Sequence, residues 1–131
     1  MSSQTQSGHK SFALAASQTI LTGQRVQLDS SGNLLLASND DSWIGVAEAD
    51  GDTNATAGTA ATTISVRLRN DAGTFWFMAS AAVTANALLY TAASGKVAST
   101  GTTKLGFRAI EAATADGDII ECCPTGPSAT S

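Results

Sequence analysis

Hydrophobic and polar residues alternate along several short stretches of the chain, most clearly in TTISVRLR at positions 62–69. Ile64, Val66 and Leu68 would share one face of an extended strand, while threonine, serine and arginine would share the other. This period of two residues is typical of a strand with one buried face. No stretch combines a sustained helical period with capping residues, so the pattern predicts an all-β protein.

An aromatic triplet marks the strand that we expect next. The turn-forming NDAG at positions 70–73 precedes TFWFMA, which would return beside the first strand as a hairpin. Phe75, Trp76 and Phe77 are adjacent, and neighbouring side chains of a strand point to opposite faces. Either Trp76 or the two phenylalanines would then lie on an outer face, where bulky apolar residues favour a subunit interface. A core on one face and a half-covered surface on the other is the equally supported alternative.

Two further hairpins are predicted at the glycine turns Ser31-Gly32 and Ser94-Gly95, because glycine supplies the positive φ of tight connections. Both hairpins belong to a longer repeat, in which residues of about 20–69 match residues 82–123. A duplicated strand set buries its apolar faces by packing one unit against the other. The repeat therefore predicts a small β-barrel or β-sandwich built from two pseudo-repeated strand sets.

The 131-residue chain has the length of one domain. Residues 1–11 are mostly polar and predict an extended N-terminal arm, residues 12–124 form the β domain, and residues 125–131 form a C-terminal tail. Alanine makes up a large part of the 43% hydrophobic content, so the core should be thin. A thin core favours a protein that gains stability from a partner surface.

Charge and hydropathy argue against nucleic acid and membrane as partners. The net charge is -4 and the 7 basic residues are scattered, which argues against nucleic acid binding. No apolar run approaches the ~20 residues of a membrane span. The polar N-terminus lacks the apolar core of a signal peptide, so we expect synthesis in a cytoplasm with reduced cysteines.

The sequence carries no convincing catalytic or metal-binding pattern, so we expect no enzyme activity, cofactor or metal. The single histidine, His9, lies in the polar arm, away from any candidate nucleophile. The two DGD sequences at 50–52 and 116–118, which the repeat aligns, offer too few ligands for a calcium loop and are interpreted as turns with glycine at positive φ. Cys122 and Cys123 lack the spacing of zinc ligands, and as neighbours in a strand they should be free thiols on opposite faces.

The phrases SGNL, IGVAEA and a closing GFRAIEAATADGDIIEC resemble the small capsid decoration, or cement, proteins of tailed bacteriophages over roughly residues 19–123. The most specific part is 106–121. The chain departs from the family phrase at Cys122-Cys123, where β-branched residues are usual, and its aromatic triplet is unusual. The resemblance implies a virion protein on the outer capsid surface that staples neighbouring major capsid proteins. It also implies a homo-oligomer, with a trimer favoured over a dimer.

On this resemblance, we expect capsid or subunit contacts in the arm and in the predicted hairpin. The candidate residues are His9, Lys10, Phe12, Arg67, Arg69, Phe75, Trp76 and Phe77. The arm would lie along the capsid and add a strand to a capsid sheet. The alternative function is a receptor- or carbohydrate-binding module of a phage tail or fibre, with Trp43 or Trp76 stacking on sugar rings. A hydrolase using two carboxylates is the least supported alternative.

Overall fold

The computed structural model describes residues 8–54 and 61–125. Most of the predicted N-terminal arm and C-terminal tail, residues 1–7 and 126–131, lies outside the described residues. Within the described ranges the regular elements are strands and one turn of 3-10 helix, Ala93–Gly95. The predicted all-β class is confirmed, and the arrangement of several sheets is consistent with a β-sandwich.

The strands of the described ranges, in chain order, are β1 His9–Ala13, β2 Thr19–Ile20, β3 Arg25–Leu28, β4 Leu34–Leu36, β5 Gly45–Ala47, β6 Gly51–Asp52, β7 Thr63–Leu68, β8 Phe75–Met78, β9 Leu88–Thr91, β10 Val97–Ala98, β11 Lys104–Ala109 and β12 Ile119–Pro124. They pair antiparallel in two five-stranded sheets and one small pair, β2-β6. Sheet I has the order β1-β7-β5-β3-β4, and sheet II has the order β8-β12-β11-β9-β10.

Each five-stranded sheet curls so that the residue after one outer strand forms a bridge with the other outer strand. A parallel bridge between Leu14 and Leu34 joins the end of β1 to β4 in sheet I. A parallel bridge between Ala79 and Val97 joins the end of β8 to β10 in sheet II. Each sheet therefore encloses one face, which becomes the place where its apolar side chains are buried.

The two sheets also share one topology. The strands β1, β7, β5, β3 and β4 of sheet I match β8, β12, β11, β9 and β10 of sheet II in order and direction. The pairing of Ile20 with Gly51 in the first unit matches the bridge between Val83 and Ala113 in the second. We interpret this shared topology as the structural form of the sequence repeat, with each unit built around one curled sheet that begins at β1 or β8.

The glycine hairpins form as expected, but the predicted hairpin of β7 with β8 does not. β3 pairs with β4 and β9 with β10, with Gly32 at a φ of 83° and Gly95 at 69°. β7 instead pairs with β1 and β5, whereas β8 pairs with β12. The NDAG segment carries the chain from one sheet to the other. That prediction was wrong because a turn motif sets local chain direction without choosing the pairing partner.

The two DGD sequences are not equivalent in the structure. Gly51 lies in β6 without a positive φ, and a Cβ there would lie only 2.9 Å from Cγ2 of Ile64. Close packing is therefore what requires glycine at this position. Gly117 has a φ of 94° and forms the expected turn before β12. By backbone pairing the counterpart of Gly51 is Ala113, so the two DGD segments do not occupy equivalent positions in the two units.

Apolar side chains form two clusters, and the larger one joins the two units. The smaller cluster fills sheet I and includes Val26, Leu34 and Val66. The larger cluster fills sheet II, but it also takes in Trp43 and Val46 from the first unit. The first unit thus supplies part of the wall that covers the apolar residues of the second.

A buried guanidinium group also connects the units. Arg25 is completely buried, and its side chain donates hydrogen bonds to the carbonyls of Ser38, Ala92 and Lys96 at 2.7–3.4 Å. Burial lowers the pKa of this group to about 10, against the opposing effect of the nearby Asp40 carboxylate. Arg25 therefore remains charged at neutral pH and joins the two units through hydrogen bonds to carbonyls of both.

Candidate interaction surface

The aromatic triplet of β8 divides between the core and the surface. Phe75 and Phe77 are fully buried in the larger cluster, whereas Trp76 is 51% exposed. This division follows from the alternation of side chains along a strand. Phe75 and Phe77, expected as candidate contact residues, therefore belong to the core, and Trp76 is the member of the triplet available to a partner.

Trp76 lies on the outer face of sheet II with other exposed apolar residues. It pairs with Glu121 of β12, and Ile119, two residues before Glu121, is 40% exposed on the same face. Ile110, beyond the end of β11, donates its backbone N–H to the carbonyl of Glu121 and is 49% exposed. Sheet II thus presents large apolar side chains where a solvated face would carry polar ones.

A cleft of about 290 Å³ opens beside Trp76, where the two sheets meet. Its lining residues are Thr22, Val46, Ala47, Glu48, Arg67, Phe75, Trp76 and Ile119. Carbon atoms form most of its wall, and Trp76 and Ile119 contribute its exposed apolar residues. We call this feature the junction cleft.

His9 lies close to two carboxylates at the edge of sheet I. Its Nδ1 is 2.8 Å from Oε1 of Glu48, and its Nε2 is 3.4 Å from Oδ2 of Asp71. The residue belongs to β1, whose register places it opposite Arg67. Residues 9–11, predicted from the sequence to lie in the extended arm, belong instead to sheet I, because their backbone pairs with β7.

Arg67 and Arg69 both cover core aromatic rings. The Arg67 guanidinium lies 4.3 Å from the centre of the Phe75 ring and binds Oδ2 of Asp71 at 2.9 Å. The Arg69 guanidinium lies 4.0 Å from the centre of the Trp43 ring and forms an ion pair with Asp41. Both arginines are half-buried and engaged within the chain, which gives them a structural role independent of any partner.

The remaining candidates from the arm lie on the enclosed face of sheet I. Lys10 pairs with Val66 and Phe12 with Ile64, and both side chains are half-buried. Phe12 packs against the smaller apolar cluster. Phe12 therefore contributes to the stability of sheet I in the isolated chain.

Trp43 is buried, with only 1% of its surface exposed, and packs edge-on against Phe77. It cannot stack on a sugar ring, so the carbohydrate-binding alternative retains only Trp76. Within the described ranges, no group of three or more histidine, cysteine or acidic side chains could hold a metal ion.

The two cysteines lie on opposite faces of β12, as the strand period predicts. Cys122 is buried and Cys123 is exposed, and both are free thiols. Burial, together with the smaller effect of the nearby Glu111 and Glu121 carboxylates, raises the pKa of Cys122 to about 12. Cys122 is therefore a protonated core residue at neutral pH.

Comparison with known proteins identifies a family and a fold. A family model described as structural cement protein (E217 gp24/Pam3 gp6) matches residues 1–123. Among solved structures, the head fiber gp8.5 N base of bacteriophage phi29 is similar, with a TM-score of 0.64 and 15% sequence identity. The likeness covers 88% of this chain and 93% of that chain, and it concerns the fold. Curated proteins yield no match. No helix in the described ranges could span a membrane.

Proposed function

Since the chain belongs to the family of phage structural cement proteins, we propose that it binds the outer surface of an assembled head and staples neighbouring major capsid proteins there. The observation that carries this proposal is the family match over residues 1–123. The exposed apolar face of sheet II supports it, because this face needs a partner surface to cover it. Family membership also favours a structural rather than a catalytic role.

Stabilisation of the head would follow from mass action. A protein that binds the assembled lattice but not the separated subunits raises the free energy of disassembly, by about 2.7 kcal/mol per site at a concentration of one hundred times Kd. Contacts to two neighbouring subunits at once would make each bound copy resist their separation. Synthesis in the host cytoplasm and assembly as a homo-oligomer, with a trimer favoured over a dimer, belong to the same proposal.

The direct test uses purified expanded heads that lack the protein. We expect the added protein to sediment with these heads to a saturating number of copies and to raise their thermal disruption temperature in scanning calorimetry. Unexpanded or dissociated capsid protein is the control and should bind fewer copies. Absence of binding to intact heads would contradict the proposed function.

The contribution of the N-terminal arm can be separated from that of β1. Deletion of residues 2–7 should weaken head binding while leaving the unfolding midpoint unchanged, because β1 begins at His9. Deletion of residues 2–11 should also cost at least about 2 kcal/mol of stability, because it removes the pairs of His9, Lys10 and Ser11 with β7. Full occupancy on heads by the protein lacking residues 2–7 would contradict the arm contact.

The exposure of Trp76 keeps a carbohydrate-binding function as a second candidate. An exposed tryptophan beside a cleft can stack on a sugar ring. A glycan array with the purified protein separates the candidates: saturable glycan binding that Trp76→Ser abolishes would favour a receptor-binding module over a cement protein.

A further inference from the structure

We propose that the junction cleft receives an extended, basic segment of the capsid partner, with an apolar side chain of that segment packed against Trp76 and Ile119. This inference rests on the proposed function and specifies the surface and the partner chemistry that it uses. Three observations carry it: the internal repeat, the edge of β8 and the charges at the cleft.

The repeat provides a reference within the same molecule. The inward-facing pair Phe12 and Ile64 of sheet I corresponds to the inward-facing pair Phe77 and Ile120 of sheet II, since each joins the first strand of its unit to the last. Residues next to these pairs can therefore be compared position by position. The comparison shows which side chains the fold requires and which belong to one unit alone.

At the positions one residue before each member of these pairs, the two units carry side chains of different polarity. Sheet I carries the exposed polar residues Ser11 and Thr63, whereas sheet II carries the exposed apolar residues Trp76 and Ile119. The fold is thus compatible with polar side chains at both positions. Because exposed apolar side chains gain nothing from water, their presence in sheet II indicates a surface that a partner covers.

The edge of β8 favours an extended partner segment. β8 is an outer strand of sheet II, paired with β12. Ala79 donates its N–H to the carbonyl of Asp118 on the β12 side, whereas Met78 donates its N–H to the carbonyl of Gly23 on the other side. Backbone groups alternate along a strand, so the N–H and C=O of Trp76 point away from β12 and toward the junction cleft. They can form backbone hydrogen bonds with an added segment at this one residue, since the neighbouring Thr74 carbonyl and Met78 N–H on the same edge are already bonded within the chain.

The charges near the junction cleft favour a basic partner over a second copy of this chain. Glu48 lines the cleft, Asp50 binds the lining residue Thr22 at 2.8 Å, and Glu121 lies opposite Trp76. The basic lining residue, Arg67, directs its guanidinium to Asp71 and to backbone carbonyls. A second copy with a net charge of -4 would be repelled by this rim, whereas lysine or arginine side chains would be attracted.

The test replaces the two exposed apolar residues of sheet II with the polar residue types that occupy the equivalent positions of sheet I. Trp76→Ser and Ile119→Thr should each raise the Kd for purified expanded heads about tenfold or more, as expected for central apolar contacts. The control Leu21→Ser removes a comparably exposed apolar residue of the first unit that does not line the cleft, and it should change the Kd less than about threefold. Because serine and threonine occupy the equivalent positions of sheet I, the variants should keep the wild-type unfolding midpoint, which denaturant unfolding checks.

Changes in salt concentration and variants that remove acidic side chains test whether the partner segment is basic. Head binding by the wild type should weaken as NaCl rises from about 50 to 500 mM, and the double variant Glu48→Gln/Glu121→Gln should bind more weakly with less dependence on salt. Binding that does not respond to salt or to these variants would overturn the basic segment. Equal head binding by Trp76→Ser and the wild type would overturn the cleft as the docking site.

Analytical ultracentrifugation tests the alternative in which a second copy of this chain occupies the junction cleft. Loss of self-association by Trp76→Ser with head binding retained would assign the cleft to a second copy and overturn the inference. Failure of the wild type itself to bind heads would overturn the proposed function, and the inference with it. These results therefore distinguish a wrongly assigned docking surface from a wrongly proposed function.

Discussion

Adjacent residues of one strand have opposite environments when the strand separates a core from a surface. Phe75 and Phe77 stack with ring centres 6.0 Å apart inside sheet II, while Trp76 between them faces outward. The same alternation places Cys122 inside and Cys123 outside. Whether a side chain of these strands is buried or exposed therefore depends on which face of the strand it lies on more than on its residue type, because the fold covers only one face.

The two thiols should differ in reactivity. Iodoacetamide at pH 8 is expected to label the native protein once per chain, at Cys123, because Cys122 is buried and its pKa is raised to about 12. Unfolding in guanidinium chloride should expose the second site. Mass spectrometry counts the labels, and Cys123→Ser should abolish native labelling. Two labels on the native protein would show that Cys122 is accessible.

Removing the buried guanidinium should be far more costly than removing an exposed one. Arg25→Ala is expected to lower the free energy of unfolding by about 3–5 kcal/mol, because it removes a fully buried side chain together with its hydrogen bonds to the Ser38, Ala92 and Lys96 carbonyls. Arg108→Ala removes an exposed arginine that bonds the Asn86 carbonyl and should cost less than about 1 kcal/mol. Guanidinium chloride titration measures both. Equal losses would contradict the proposed role of Arg25.

At the scale of elements, short connections decide how the strands enter their sheets. The segment before β12 is held by Asp118, whose carboxylate accepts the N–H and hydroxyl of Thr114 at 2.8 and 2.9 Å. In sheet I, β1 is held by its pairing with β7 and by the contacts of His9 with Glu48 and Asp71. Polar side chains thus hold the beginnings of these two strands in place.

The turn before β12 makes the stability of the folded protein depend on pH. The backbone N–H and then the hydroxyl of Thr114 hold the pKa of Asp118 below its usual value. The ionised form therefore stabilises the fold, fully above the unfolded-state pKa of about 4, and this contribution disappears as pH falls through the lower folded-state pKa. Asp118→Asn should be less stable than the wild type at pH 7, and the difference should shrink below pH ~4 in thermal unfolding. A constant difference down to pH ~2 would contradict this account.

At the scale of the molecule, two similar units share one continuous structure. The larger cluster joins Trp43 and Val46 of the first unit to the apolar residues of sheet II, and Arg25 bonds carbonyls of both units. Neither sheet can therefore lose its structure without exposing part of the other. The junction that provides this coupling also forms the junction cleft.

Because of this shared core, the two units should unfold in a single transition. Trp43→Ala is expected to lower the free energy of unfolding by about 3–5 kcal/mol. It should lower the hydrogen-exchange protection of amides in β3 and β9 by the same amount, although Trp43 belongs to neither strand. Hydrogen exchange followed by NMR measures both strands separately. Loss of protection in sheet II alone would show that the units unfold independently.

Much of the fold and part of the candidate surface could be predicted from the sequence alone. Period-two patterns and glycine turns located the strands around Val66 and the hairpins at Gly32 and Gly95, because these signals are local. The closing phrase at 106–121 identified the family, which the match over residues 1–123 confirmed. Strand period also predicted that the two cysteines face opposite sides before the structure assigned either one.

The tertiary structure decided what depends on pairing and burial between distant segments. It placed β7 and β8 in different sheets and assigned Trp76 to the surface and Trp43 to the core. It also showed that the counterpart of Gly51 is Ala113 rather than Gly117. Sequence patterns describe which side chains share a face, but a face becomes core or surface only when another part of the chain covers it. For the outer face of sheet II, where Trp76 is 51% exposed, residues 8–54 and 61–125 supply no such cover.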